Sequence, residues 1–248
     1  SYTGQKFLQN YIYNDNKLEG VVIDRQQLNF ILADLNYNGI NSRFFESDSE
    51  EVIMTLGNLE LQQYVINTKD NVSIRNCGKL HSLLFKYVPY PDDNGKYRDE
   101  MALLKKGTIQ PVPFYEIQDK IAELDDELQY FLKHIDEYNI GEYIEQVAYF
   151  TYKFIVIHPF RDGNGRISRA IINWLLIKKR ISPIYINQHC RTEYLDALTK
   201  LDLENDPVPF IMFIERMIIR TMVELHKYLF IDEIDEENIS REDENNAN

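Results

Sequence analysis

The sequence predicts an all-α protein carrying one small β-hairpin. Three observations lead there. Apolar residues recur at spacings of three and four along most of the chain, as in helices that bury one face. No Gly/Ser-rich or Pro-rich linker divides these runs and no internal repeat is evident, so the 248 residues read as one domain. One segment alone, between Pro91 and Pro113, breaks the rhythm. There Lys106-Gly107 is placed to turn between two short extended runs, MALLK and TIQPV.

Each helix has its own justification. In DRQQLNFILADLN, Leu28, Ile31, Leu32 and Leu35 share a face and Asp24 is placed as N-cap. A second helix spans about 48–66, with Val52, Leu56 and Leu59 on one side. A third starts at Ser73, carries Ile74, Cys77, Leu80 and Leu84, and is expected to stop at Pro89 and Pro91. After Pro113, Ile117, Ile121, Leu124, Leu128 and Leu132 keep a steady beat. Gly141 opens the next helix, where Ile144, Val147, Ala148, Thr151, Phe154 and Ile155 align. Three more are expected at about 165–180, 191–203 and 207–229, the last apolar nearly all round and so expected at the centre.

Composition sets the class. With 44% hydrophobic residues the chain can bury a sizeable core. A formal net charge of −13 argues against general binding to nucleic acid phosphates, which needs an excess of Lys and Arg. Part of that charge lies in IDEIDEENISREDENNAN, residues 231–248, which reads as a disordered acidic tail. Cys77 and Cys190 form no CxxC pair and read as free thiols of a reducing compartment. No stretch reads as a signal peptide. FIMFIERMIIRTMVELHKYLF holds Glu215, Arg216, Arg220 and Glu224, so it is no membrane span. A cytoplasmic protein with no membrane partner is the expectation.

Chemistry concentrates in HPFRDGNGRISR, residues 158–169. Gly163-Asn164-Gly165 lets successive backbone N–H groups turn toward one point, and the helix that follows adds its free N–H groups and dipole. Arg166 and Arg169, three apart, stand on one side of that helix, and guanidinium forks suit phosphate oxygens. Asp162 is a single carboxylate beside the nest, the usual way to hold Mg2+ on phosphates. His158 ends an apolar helix, where a neutral imidazole can take a proton from a hydroxyl. Alone, a Gly-Asn-Gly turn or a helix-end histidine is usually structural; their conjunction describes transfer of a phosphorus-containing group. GxxxxGK[ST] is absent, the GxG lacks a Rossmann context, and His158 with His189 has no second ligand pair for a metal centre.

HPFRDGNGRISR resembles the Fic motif, HxFx[DE]GNGRxxR, at every defined position. The resemblance extends from about Tyr13 to Leu229; NDPVPFIMFIERMI and GKYR are also similar to Fic segments. It implies a Fic fold over residues 1–230, with a flap at about 95–113. It implies transfer of AMP from ATP to a Tyr, Thr or Ser hydroxyl of a target protein, or of the chain itself, with pyrophosphate leaving. His158 would be the base and Phe160 the anchor of the loop. Asp162 would hold Mg2+. Gly163, Asn164 and Gly165 would cradle the α-phosphate, Arg166 would meet the β-phosphate and Arg169 the γ-phosphate. Tyr194 would line the adenine pocket. Leu103 and Leu104 in the flap would pair with an extended target segment. The target is not named by the sequence, and self-association of the chain stays open.

YNDNKLEG is similar to the inhibitory motif of many Fic proteins, [ST]xxxE[GN], within an N-terminal helical region at about 10–25. The resemblance implies that Glu19 pairs with Arg169 and blocks seating of the γ-phosphate. Asp15 stands where the motif has Ser or Thr; an aspartate can still cap a helix. Rival outcomes are removal of AMP, transfer of another phosphorus group, or a nucleotide-binding or interaction module without turnover.

Overall fold

The structure, a computed structural model, describes residues 1–89, 94–102 and 109–246, with backbone alone beyond residue 229. Among the described residues every regular element is a helix. Nine are α-helices: α1 Tyr2–Leu18, α2 Arg25–Asn38, α3 Glu50–Asn67, α4 Cys77–Leu84, α5 Ile117–Lys133, α6 Ile140–Ile157, α7 Asn164–Lys178, α8 Arg191–Glu204 and α9 Val208–Asn246. The expected hairpin has no strand in the described parts of 95–113, and Leu103 and Leu104 lie outside the described residues.

Local chemistry explains the boundaries. Asp24 caps α2 in a capping box with Gln27, and Asn139 caps α6 in one with Glu142, so each start satisfies two orphan donors. Ser49 accepts from the Val52 N–H at the start of α3. α4 stops at Leu84, before either proline: Phe85 leaves helical geometry while its N–H still closes on His81. The helix proper begins at Cys77, after a 3-10 turn at Ile74–Asn76.

Buried side chains form two clusters. The larger joins α4 to α9, with Leu80, Leu128, Val147, Phe154, Ile167, Leu175 and Phe213 among its buried members. The smaller joins Phe7, Tyr11 and Ile12 of α1 to α2, α3 and Tyr185. Truncating one such Leu or Ile to Ala costs about 2–5 kcal/mol. α6 and α7 pack on each other, and the Tyr143 hydroxyl donates to the Leu175 carbonyl at 2.8 Å. Both cysteines are free and buried.

One expectation changes. α9 is not buried all round. Phe210, Phe213, Ile214 and Met217 pack inward, while Met212, Ile219, Met222 and Val223 face outward. Its apolar outer face, not a central position, explains the all-round pattern. The backbone of α9 continues as helix to Asn246, through most of the acidic stretch at 231–248. No glycine or proline interrupts residues 231–246, and glutamate is a good helix former. No helix of the described residues is long and apolar enough to cross a membrane.

One close approach sets the position of α4. A Cβ on Gly57 of α3 would lie 1.8 Å from the carbonyl oxygen of Leu84. Only glycine lets the end of α4 settle there. Gly57→Ala is therefore expected to destabilise the fold by roughly 2–3 kcal/mol, measured by denaturant unfolding; an unchanged midpoint would contradict this packing.

Candidate active site

The loop between α6 and α7 begins with a strained turn. His158 caps α6 in the left-handed region, with φ 49° and ψ 60°, and its N–H still reaches the Phe154 carbonyl at 3.0 Å. Residues with a Cβ seldom adopt this conformation unless held. Arg98 holds it. Its Nε donates to the His158 carbonyl at 2.8 Å, and its Nη2 donates to the carbonyls of Ile157 (3.3 Å) and Val112. Its Nη1 donates to the Glu100 carbonyl at 2.8 Å, and its backbone N–H to the Pro159 carbonyl at 2.9 Å. One buried guanidinium thus satisfies carbonyls that the end of α6 leaves open.

Phe160 is fully buried. Its ring stacks on His81 of α4 at 4.2 Å, and His81 stacks on Phe85 at 4.4 Å. His81 also spans two backbones: Nδ1 accepts from the Gly95 N–H at 3.0 Å, so Nε2 carries the proton toward the Asp162 carbonyl, 3.2 Å away. The Asn164 side chain closes the loop by accepting from the Phe160 N–H (3.0 Å) and donating to the Phe160 carbonyl (2.7 Å). Gly163 has φ 86°, and a Cβ there would crowd Phe85 at 2.8 Å and Leu84 at 2.9 Å. The same end of α4 that rests on Gly57 therefore forms the floor under this turn.

Charges gather where α7 begins. Asp162, with a side chain 70% exposed, accepts from the Gly163 N–H at 2.7 Å and from Arg166 Nη2 at 3.2 Å. Arg166 Nε is buried and finds no partner among the described residues. Arg169 is buried against α1. Its Nε donates to Asp15 Oδ1 at 2.5 Å, and its Nη2 to Glu19 Oε1. A Cβ on Gly165 would stand 3.1 Å from both Arg169 Nη1 and Glu19 Oε1, so this pair lies over the glycine turn.

A cleft of about 250 Å3 gathers Glu19, His158, Asn164, Gly165, Arg169 and Tyr194 with Ile109, Ile155, Arg191 and Leu198. Gly163, Asp162 and Arg166 belong to the same turn but do not line that cleft, and Phe160 lies beneath the loop. Tyr194 packs on Phe210 and Phe213 and is buried beside Arg169. Asp15 caps nothing: it sits inside α1, which starts at Tyr2 with Ser1 as its cap. Sequence reasoning missed Arg98, His81 and Asn58. GKYR drew the eye to the stretch that holds Arg98, but nothing in it says which carbonyls that side chain meets.

Electrostatics fit this arrangement. Burial and then the Arg98 charge push the His158 imidazole below its ordinary value near 6.5, against a smaller opposing pull from Asp162. Both causes favour the neutral ring. The Ile155 backbone opposes this shift as well, and the ring lines the cleft, where a neutral imidazole can accept a proton. Burial pushes the Glu19 carboxyl up, yet the charges of Arg169 and Arg166 outweigh it and hold the group below the usual range. Arg169 is driven well up by Asp15 and Glu19 despite the opposing effect of burial. Arg98→Ala is expected to raise the pH at which His158 titrates, followed by NMR of the ring protons; an unmoved midpoint would mean that the Arg98 charge is not felt there.

The Fic/DOC family model matches residues 71–176, which include the whole loop. A protein named protein adenylyltransferase Fic, from Aedes aegypti, is 25% identical over 214 residues, 86% of this chain and 40% of that protein. The chain spans about two fifths of the length of such curated relatives. A Fic domain containing signaling protein from Bacteroides thetaiotaomicron shares the fold with TM-score 0.72 at 21% identity, over 90% of this chain and 87% of that one. BepC from Bartonella tribocorum, solved with bound AMPPNP, matches with TM-score 0.55 at 15% identity, over 70% of this chain and 89% of that one. The chain is thus similar to the Fic/DOC family over residues 71–176 and distantly related to protein adenylyltransferases.

Proposed function

We propose that this chain is a protein adenylyltransferase, restrained by Glu19. One observation carries the reading. A neutral histidine, the open N-terminus of α7 and a buried arginine already bearing a carboxylate meet at one cleft. A carboxylate on Arg169 occupies the place that a terminal phosphate would take.

In this reading ATP enters with its adenine toward Tyr194 and its phosphates over the 163–165 turn. The N–H groups of Asn164 and Gly165, free at the start of α7, point at the α-phosphate, where charge builds as the reaction proceeds; that of Gly163 joins them once Asp162 releases it. His158 takes the proton from a Tyr, Thr or Ser hydroxyl of the target. The freed oxygen bonds to the α-phosphorus as the bond to the β-phosphate bridging oxygen breaks, and pyrophosphate leaves. Arg166 steadies the β-phosphate. Asp162 fits Mg2+: it is one well-exposed carboxylate beside the turn, and that ion takes its other ligands from phosphate and water. Among the described residues no group of three or more His, Cys, Asp or Glu gathers to hold a metal by itself. When bound, Mg2+ would neutralise phosphate charge.

Glu19 acts by competition. While it holds Arg169 Nη2, the γ-phosphate lacks that donor and ATP does not seat for in-line attack. With ATP labelled at the α-phosphate, Glu19→Gly is expected to label itself or target proteins at least about tenfold more than wild type, the scale of one charge-assisted hydrogen bond. His158→Ala on that background should keep nucleotide affinity and lose transfer. No label from Glu19→Gly despite ATP binding would overturn the transferase reading.

A pH dependence follows from the imidazole. The base works only when neutral, and its folded value lies below 6.5. Transfer by Glu19→Gly should therefore decline on the acid side with its midpoint below 6.5. A decline centred above 6.5 would show that another group limits the rate.

A further inference from the structure

Asp15 stands out because it is a second carboxylate on the same guanidinium. Asp15 is 3% exposed and Arg169 6%, whereas the Glu19 side chain is 27% exposed. Both oxygens of Asp15 are engaged: Oδ1 accepts from Arg169 Nε at 2.5 Å, and Oδ2 accepts from Asn58 Nδ2 of α3 at 2.8 Å. Its neighbours in sequence are bolted down as well. Asn16 Nδ2 donates to Thr55 Oγ1 at 2.8 Å, and Asn14 Oδ1 accepts from the Gln188 N–H at 3.3 Å. Three consecutive polar side chains thus tie the last turns of α1 to α3, to α7 and to the turn before α8.

Glu19 is placed differently. It follows the last residue of α1, and Gly20 beyond it has φ 78°. It can swing away while Asp15 stays, because nothing that holds Asp15 passes through Glu19. The guanidinium is shared accordingly. Its Nε edge faces Asp15, and its Nη atoms face Glu19 and the Gly165 turn.

We propose that Asp15 is the positioning residue of Arg169: it fixes the guanidinium through Nε and so presents the Nη edge to whichever anion occupies the turn. That anion is Glu19 in the restrained state and the terminal phosphate of a nucleoside triphosphate once Glu19 withdraws. The proposal rests on the phosphate-binding reading above. Asp15 also stops Arg169 from becoming an uncompensated buried charge in the interval. The opposite idea, that Asp15 is a second lock, requires it to let go for activity; its burial and its bond to Asn58 argue against release.

The two ideas predict opposite signs. Exchange of the Arg169 Nε–H is followed by 15N NMR without nucleotide, and ATP kinetics are measured in parallel. The Nε–H should remain protected in wild type and in Glu19→Gly, and lose protection when Asp15→Ala is added. On the Glu19→Gly background, Asp15→Ala should raise the KM for ATP about tenfold or more while kcat changes little, since the γ-phosphate is remote from the reacting phosphorus. Asp15→Asn keeps an acceptor for Nε and should return KM toward that of Glu19→Gly, which separates positioning from a failure to fold. Loss of Nε–H protection in Glu19→Gly alone would overturn the proposal. So would Asp15→Ala alone transferring AMP as Glu19→Gly does. If no variant transfers AMP, the reading of the reaction fails, and the exchange measurement still decides the role of Asp15.

Discussion

A buried guanidinium sets the terms for the rest of the molecule. Arg169 lies inside the protein, where a lone charge would be very costly, and α1 supplies what makes it tolerable. The consequence runs both ways. The arginine needs α1, and α1 owes the tight seating of its last turns to the arginine, with Asn58 and Thr55 of α3 as further anchors. The N-terminal helix is thereby part of the site rather than an appendage to it. Its apolar residues, Phe7, Tyr11 and Ile12, fix it on α2 and α3, and its polar end reaches the cleft.

A second constraint shapes the loop. The chain must leave α6 in a left-handed turn so that the His158 ring and the start of α7 share one cleft. Arg98 gathers the carbonyls at that turn, and the Phe160–His81–Phe85 stack supports it from below. Asn164 closes the loop on itself. The Arg98 and His81 contacts are distant in sequence and near in space, and with them the short loop keeps one shape.

That division explains what the sequence could reveal. Helix positions were legible because burial of one face imposes a spacing of three and four: Leu28 and Ile31, or Ile121, Leu124 and Leu128, announce their faces. The loop was legible because its chemistry is contiguous. Arg98 and His81 were not, since a guanidinium that binds carbonyls and an imidazole between two rings leave no pattern of their own. Asp15 was visible as a departure, but its role depends on Asn58 and Arg169 meeting it from two other helices. The place of α9 failed for a different reason. Periodicity reports how many faces are apolar, not how many are covered, and Met212, Ile219 and Val223 remain outside. The acidic stretch after it carries charge that suits solvent and a residue content that suits a helix, and composition alone does not choose between them.

The pair of histidines at the loop can be read by counting nitrogens. His81 has committed both of its ring atoms to backbone groups, one as acceptor from Gly95 and one as donor to Asp162. Neither lone pair nor proton remains for an incoming hydroxyl. The His158 ring lines the cleft instead. Two imidazoles thus stand near the same turn with different surroundings, one spent as a strut and one open to the cleft. A reagent that reports imidazole nucleophilicity would register a single histidine where a map of rings around the loop shows two.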